Sequence, residues 1–200
     1  MKRTSLSLTL AWLSPLALAA EMSVGVANLQ DYIDPGRDHS NVGSQLYINS
    51  FETLIAQDPN AAEPSFTPAL AVSWERISPT AMDFKLREGV TFHNGEAMSA
   101  DDVVFSLSRM FNPTYPPYVT RQREYFMNMY KAEKLDDYTV RVHTKRPDPI
   151  FETLMAVQQA MIVPRDYISG LSGHPAVDEV SDYEAFGLAP LGTRPYKITN

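Results

Sequence analysis

The chain has 200 residues, with 17 lysines and arginines against 24 aspartates and glutamates, a net charge of −7 and a length suited to one or two domains. Apolar residues make up 44% and charged residues 20%, enough for a core and unlike a disordered polyelectrolyte. The absence of cysteine excludes disulfides, thiolate metal sites and thiol nucleophiles, and 15 prolines argue against a plain helix bundle.

Residues 1–19 read as a secretory signal peptide. Lys2 and Arg3 form the basic start, an apolar and hydroxyl-bearing stretch covers 6–18, and Ala17-Leu18-Ala19 puts small residues at the −3 and −1 positions of a cleavage site. The stretch is short for a bilayer span, and Glu21 follows it. No cysteine follows for lipid attachment and no twin-arginine pair precedes, so a soluble product of the general secretory route in the periplasm is expected. After cleavage, 17 basic residues less Lys2 and Arg3 leave 15 against 24 acidic ones, a net charge of −9. Binding nucleic acid would then need a local basic stripe. The nearest candidate, Arg121 and Arg123 beside Glu124, reads as a solvated face, so no nucleic-acid partner is expected.

Residues 22–27 (MSVGVA) suggest a first strand, followed by a polar loop ending in the turn Asp34-Pro35-Gly36. Val42, Leu46, Tyr47, Phe51, Leu54 and Ile55 recur at helical spacing, with Ser40 or Asn41 as cap and Asp58-Pro59-Asn60 as stop. Residues 61–68 read as loop. Strands are expected over 69–77, 82–86 and 90–92, with turns at Ser78-Pro79-Thr80 and Asn94-Gly95. Ser99 followed by Asp101 and Asp102 marks a helix start, its acids facing the positive end of the helix dipole; the helix stops before Pro113. A proline-rich loop covers 112–117. Residues 131–135 and 139–143 flank Asp136-Asp137 as a hairpin. Pro147 and Pro149 open a short helix with Phe151, Leu154 and Met155 on one face. Residues 160–163 read as a buried strand, 169–182 as polar loop, and 196–199 as the start of a last strand. Short strands mixed with short helices indicate an α/β or α+β architecture.

Catalytic and metal signals are weak. His39, His93, His143 and His174 form no one-turn pair and no His-Glu-x-x-His, so each reads as a surface or loop residue. Asp101-Asp102 and Asp136-Asp137 are adjacent carboxylates, which point in different directions on a helix or strand and serve better as a helix start and a turn. Asp31 and Asp34 lack the oxygen-rich spacing of a calcium loop. There is no G-x-S-x-G elbow and no phosphate-binding P-loop.

The densest signal is residues 68–109, PALAVSWERISPTAMDFKLREGVTFHNGEAMSADDVVFSLSRM. Leu70-Ala71, Ser73-Trp74-Glu75, Phe84, Leu86-Arg87, Gly89-Val90, Phe92-His93, Gly95, Ala100, Asp102-Val103 and Phe105-Ser106 follow one another in order. This run closely resembles the signature of the family 5 extracellular solute-binding proteins, the dipeptide, oligopeptide and nickel binders of ABC importers. Ile33-Asp34-Pro35, the hairpin from Leu135 to Val140, Ile162-Val163-Pro164 and the run from Pro190 to Lys197 also resemble it. In one departure, Arg194 stands where the family usually has the second glycine of Gly-Thr-Gly-Pro-Tyr. In another, family members are more than twice as long, so the chain reads as an N-terminal part.

The resemblance implies an α/β, periplasmic-binding-protein-like fold of type II, peptide-binder class. It would hold a partial first lobe with an inserted β-rich subdomain: 20–60 begins the main lobe, 61–188 is the insert, and 189–200 returns to the main lobe. It implies capture of a peptide or related small polar solute, such as an opine or a sugar-phosphate conjugate, between two lobes, and delivery to the permease subunits of an ABC importer. The expected protein is a monomer that spans no membrane, catalyses no reaction and holds no cofactor or metal. Leu29, Gln30 and Asp31 are expected along the cleft, offering backbone groups. Tyr118 resembles a tyrosine that contacts ligand in oligopeptide binders, or else packs beneath its own prolines. Thr193 and Arg194 occupy the turn into the last strand, where Arg194 either puts a guanidinium near the cleft or takes an ordinary negative φ and points to solvent. Trp74, Phe84, Phe92 and Phe105 are expected in the core. Two other readings stand beside solute capture: an enzyme or periplasmic chaperone on the same scaffold, and a non-functional truncated fragment with an exposed sheet edge and cleft face.

Overall fold

The computed structural model describes residues 33–36, 41–111, 121–171 and 186–198. The signal segment, the strand expected over 22–27, the loop residues Leu29, Gln30 and Asp31, and Tyr118 with its proline-rich loop lie outside the described residues, as do His39 and His174.

The first helix, α1 (Asn41–Ser50), is shorter than the apolar spacing predicts. The Phe51 N–H still reaches the Tyr47 carbonyl at 2.8 Å, but the chain then straightens. Ile55, expected on the helix, instead opens β1 (Ile55–Gln57), which pairs antiparallel with β2 (Phe66–Pro68) inside the stretch expected to be loop. Phe51, Leu54 and Ile55 are all fully buried, so the apolar positions serve the core in either conformation.

The main sheet is two hairpins side by side. β3 (Ala71–Ser78) turns at Pro79-Thr80 into β4 (Ala81–Leu86). The chain between β4 and the next helix makes two tight turns at Gly89 (φ 74°) and Gly95 (φ 90°), both conformations that favour glycine. Here the expected strand over 90–92 is reduced to a single bridge between Thr91 and Ala97. Next comes α2 (Ala100–Phe111), then a short 3-10 helix, Arg121–Phe126. β5 (Met129–Asp136) and β6 (Thr139–Thr144) form the second hairpin, and the sheet order is β3-β4-β6-β5, all antiparallel.

Alternation fixes the register. Met82 opposes Val142 and Phe84 opposes Val140, and all four are buried on one face. Asp83 opposes Arg141 on the other face, where the guanidinium Nε and Nη2 donate to the two carboxylate oxygens at 2.6 and 2.8 Å. Helix α2 packs on the sheet with Val103, Leu107 and Met110 on one side of the helix, and burying each such side chain contributes about 1.5–3 kcal/mol. Phe84, Phe92 and Phe105 are buried as expected, and Trp74 is half-buried against the same core.

Helix α2 begins as the sequence predicts. The Ser99 hydroxyl accepts the Asp101 N–H at 3.3 Å, and the Asp102 carboxylate accepts the Ser99 N–H at 2.9 Å, a reciprocal capping box. After β6, α3 (Phe151–Met155) buries Phe151, Leu154 and Met155. Residues 160–163 are buried but form no ladder. The Ile162 N–H donates to the Glu52 carbonyl and the Val163 N–H to the Ser106 hydroxyl, so the run crosses between elements rather than joining a sheet. Part of the expected loop beyond is helical, α4 (Arg165–Leu171). Residues 196–198 form no strand. Tyr47, Phe51, Phe186 and Tyr167 stack edge to face at 6.1–6.4 Å and tie α1, the helical turn at 186–188 and α4 together. Among the described residues no helix is long and apolar enough to cross a membrane.

Candidate functional site

Segment 191–194 runs against the end of α1 and the turn after β4, and three short-range features hold it there. The first is close approach at Gly192. A Cβ on this residue would lie 1.9 Å from the Ser50 carbonyl oxygen, so only glycine fits. The second is His93. Its backbone N–H donates to the Gly192 carbonyl at 3.0 Å, and its ring Nδ1 accepts the Gly192 N–H at 3.2 Å. Nδ1 is therefore the unprotonated nitrogen, and Nε2–H donates to the Arg194 carbonyl. The third is Glu52. Its carboxylate accepts the Thr193 hydroxyl at 2.8 Å and Arg87 Nη2 at 3.4 Å, while its backbone carbonyl takes the Ile162 N–H.

Thr193 and Arg194 are thus brought together with Ser50, Glu52 and His93. The Thr193 hydroxyl is committed to Glu52. The Arg194 backbone is committed at both ends, its N–H to the Ser50 carbonyl at 3.2 Å and its carbonyl to His93. No described non-glycine residue has a positive φ, so Arg194 replaces glycine in this turn without left-handed backbone. Its side chain is half-buried, and its Nε is buried without a hydrogen-bond partner. His93, expected as a surface or loop residue, instead links the turn after β4 to segment 191–194. The Phe-His-x-Gly turn was visible, but its partner nearly a hundred residues away was not.

A second cluster lies beneath the turn at 34–36. Asp34 and Arg109 form an ion pair with exposures of 0% and 2%. The other Asp34 oxygen accepts the Gly36 N–H at 2.9 Å, and the Ile33 N–H donates to the Gly187 carbonyl at 2.8 Å. The Arg109 guanidinium also lies over the Phe105 ring. This pair anchors the turn at 34–36 to α2.

The starts of α2 and α4 border an open polar cavity of about 260 Å³ lined by Phe92, Glu96, Ala97, Ser99, Asp102, Arg165 and Asp166. Its charges largely compensate one another. Asp102 accepts the N–H groups of Ser99 and Arg165, and Arg165 pairs with Asp166 and Asp101. Burial pushes the Asp102 carboxyl up, and the bonds from Ser99 and Arg165 offset this only in part. Lys134 holds the Asp101 carboxyl below its ordinary value. His143 pairs with Glu133 at 2.7 Å on the outer face of the sheet. Among the described residues no three His, Asp or Glu side chains gather in a way that could hold a metal ion.

Residues 65–200 match the model of the bacterial extracellular solute-binding proteins, family 5. Di/tripeptide-binding protein 2 of Pseudomonas aeruginosa is 30% identical over 166 residues, 74% of this chain and 29% of that protein. The HTH-type transcriptional regulator SgrR of Escherichia coli K12 is 30% identical over 164 residues, 81% of this chain and 24% of the regulator. Among solved structures, the Helicobacter pylori periplasmic binding protein DppA in complex with the peptide STSA superimposes with a TM-score of 0.70 at 26% identity. It covers 84% of this chain and 35% of that one. The chain spans about a quarter to a third of the length of these relatives. Its mixed helices and antiparallel strands are part of the type II periplasmic-binding-protein fold, and the chain belongs to the bacterial extracellular solute-binding proteins of family 5.

Proposed function

We propose that this chain belongs to the periplasmic solute-capturing component of an ABC importer, binding a peptide or related small polar solute and handing it to the membrane permease. The observation that carries this reading is the family match across residues 65–200, two-thirds of the chain and most of its ordered core. The likeness to a peptide-bound periplasmic protein supports the peptide class. The N-terminal residues 1–19, with their basic start and small-residue site, support export and cleavage. In this reading residues 20–60 and 189–200 belong to the main lobe, and 61–188 form its inserted subdomain. The solute lies against the loop of Leu29, Gln30 and Asp31, against Tyr118, and against the turn of Thr193 and Arg194. Thr193 sets the turn through Glu52, and Arg194 faces the solute. Closure of two lobes on a solute is a population shift toward the state that binds it better.

The test is native mass spectrometry of the protein released gently from the periplasm, followed by denaturation. The expected result is a small molecule that travels with the folded chain and is freed on unfolding. Retention of residues 1–19 with the protein in the cytosol, or a folded protein that carries no solute and takes up none of a dipeptide mixture, would sink the reading.

A further inference from the structure

We propose that His93 is an acid-sensitive latch: its neutral ring fastens segment 191–194 to the turn after β4, and protonation of the ring breaks its hold on Gly192. The inference goes beyond the solute-capture reading and does not depend on it.

The latch rests on hydrogen bonds of fixed polarity. The ring Nδ1 accepts the Gly192 N–H at 3.2 Å, while Nε2–H donates to the Arg194 carbonyl. A backbone N–H only donates and a carbonyl only accepts, so the two bonds exist together only in the neutral Nε2–H tautomer. A proton on Nδ1 sets one N–H against another and removes one of the three bonds that join His93 to the segment. The segment has little room to adjust, since a Cβ on Gly192 would already stand 1.9 Å from the Ser50 carbonyl oxygen. His143 is placed the opposite way: its Nε2 faces a Glu133 carboxylate oxygen at 2.7 Å, an acceptor that suits an imidazolium. The charged and titratable groups on the elements packed round His93 are Arg87 and Glu96 on its own loop, Glu52 past the end of α1, Arg194 on the facing segment and Tyr167 on α4. The Glu52 carboxylate serves Thr193 and Arg87, Arg194 is a permanent cation, and neither ring nitrogen of His93 meets a carboxylate. The loosened turn takes up a proton for which the fastened one has no place, so falling pH favours loosening. The change is local, because Thr193 stays on Glu52 and the Arg194 N–H stays on the Ser50 carbonyl.

The experiment follows both partners of the bond in the full ¹⁵N-labelled chain. Long-range correlation reads the protonation and tautomer of the His93 ring, and hydrogen exchange reads the protection of the Gly192 N–H, from neutral to mildly acidic pH. At neutral pH the ring is expected to be the Nε2–H tautomer. As it protonates, Gly192 protection should fall at least about fivefold, the loss of one hydrogen bond, and by no more than about tenfold per pH unit, the limit for one coupled proton. The Val140 and Val142 N–H groups of β6 should stay protected. His93→Asn places a non-titrating amide oxygen where Nδ1 stands, and its Gly192 protection should stay level; should that variant not fold, coincidence of the two titrations in the parent chain decides. Four results would overturn the proposal: a ring that is cationic or Nδ1–H at neutral pH, Gly192 protection that stays level while the ring protonates, the same fall in His93→Asn, or a fall shared with Val140 and Val142, which is global acid unfolding.

Discussion

The four-stranded sheet with α2 and the two polar clusters at segments 33–36 and 191–194 are held in opposite ways. In the sheet, each strand pairs with its neighbour in sequence within both hairpins, and alternating side chains decide which face is buried. In the clusters, partners lie far apart: Asp34 with Arg109, His93 with Gly192, Thr193 with Glu52. The sheet is built from many modest apolar contributions, whereas each cluster depends on a few polar and steric fits. Damage to the sheet should therefore be gradual, and damage to either cluster abrupt.

The largest effect is expected at the buried pair. Replacing Asp34 by alanine leaves Arg109 charged and almost fully enclosed, at a cost of about 3–5 kcal/mol in unfolding free energy. Replacing both residues with apolar side chains of similar volume should recover most of that loss, because the buried charge that lost its counter-ion is then removed as well. Urea denaturation of the two variants checks this, and a double variant no more stable than the single one would show that the pair acts through something other than its charges.

Two glycines sharpen the comparison next. Gly192→Ala places a methyl group 1.9 Å from the Ser50 backbone oxygen, where no flexible side chain can yield, and should cost about 3 kcal/mol through overpacking. Gly95→Ala meets no atom within 4 Å, so its cost comes only from forcing an L-residue to φ 90°, about 1–2 kcal/mol. Gly95→Asn should recover part of this, since asparagine tolerates left-handed backbone, while Gly192→Asn should be at least as damaging as alanine. Thermal melts of the four variants decide, and equal losses at the two sites would remove the distinction between close approach and backbone freedom.

The same contrast explains what the sequence revealed. Both hairpins, the helix start at Ser99 and the buried face of α3 are legible because their signals are local: period-two alternation, turn residues, and a hydroxyl followed by acids in the first turn. The end of α1 was not, because Phe51, Leu54 and Ile55 continue the helical spacing, and the choice of strand for 55–57 is made by a partner at 66–68. Residues 160–163 were read correctly as buried but wrongly as a strand, since their N–H groups go to Glu52 and Ser106, bonds that composition does not announce. At the candidate site, the family pattern points to Thr193 and Arg194, whereas nothing local in the sequence pairs His93 with Gly192. His93→Phe keeps the ring volume but deletes the ring links to Gly192 and Arg194, and should cost about 1–2 kcal/mol. Urea denaturation checks this, and a variant as stable as the parent protein would show that the His93 ring does not hold the turn at 192–194.

The smallest expected effect separates two adjacent carboxylates at the start of α2. Folding lowers the pKa of Asp101, first through the hydrogen bond from Lys134 and then through the charges of Lys134 and Arg165, against some desolvation. The stability it supplies is therefore present above the ordinary carboxylate range and is lost as pH falls through its lowered folded value. Folding raises the pKa of Asp102, chiefly by burial, so its contribution is fullest below that range and is lost as pH rises through its raised folded value. Asp101 is 38% exposed, and solvent screening limits Asp101→Asn to about 0.5 kcal/mol at neutral pH. That cost should vanish in acid. Asp102→Asn should run the other way, costing more in acid than at neutral pH, because the wild-type residue is at its best there as the neutral acid. Denaturation midpoints of both variants relative to wild type, taken on either side of the carboxylate range, should therefore slope in opposite directions. Parallel slopes would mean that hydrogen bonds from Ser99 and Arg165, rather than burial, govern Asp102, and that the two neighbours differ in partners but not in the sign of their charge energetics.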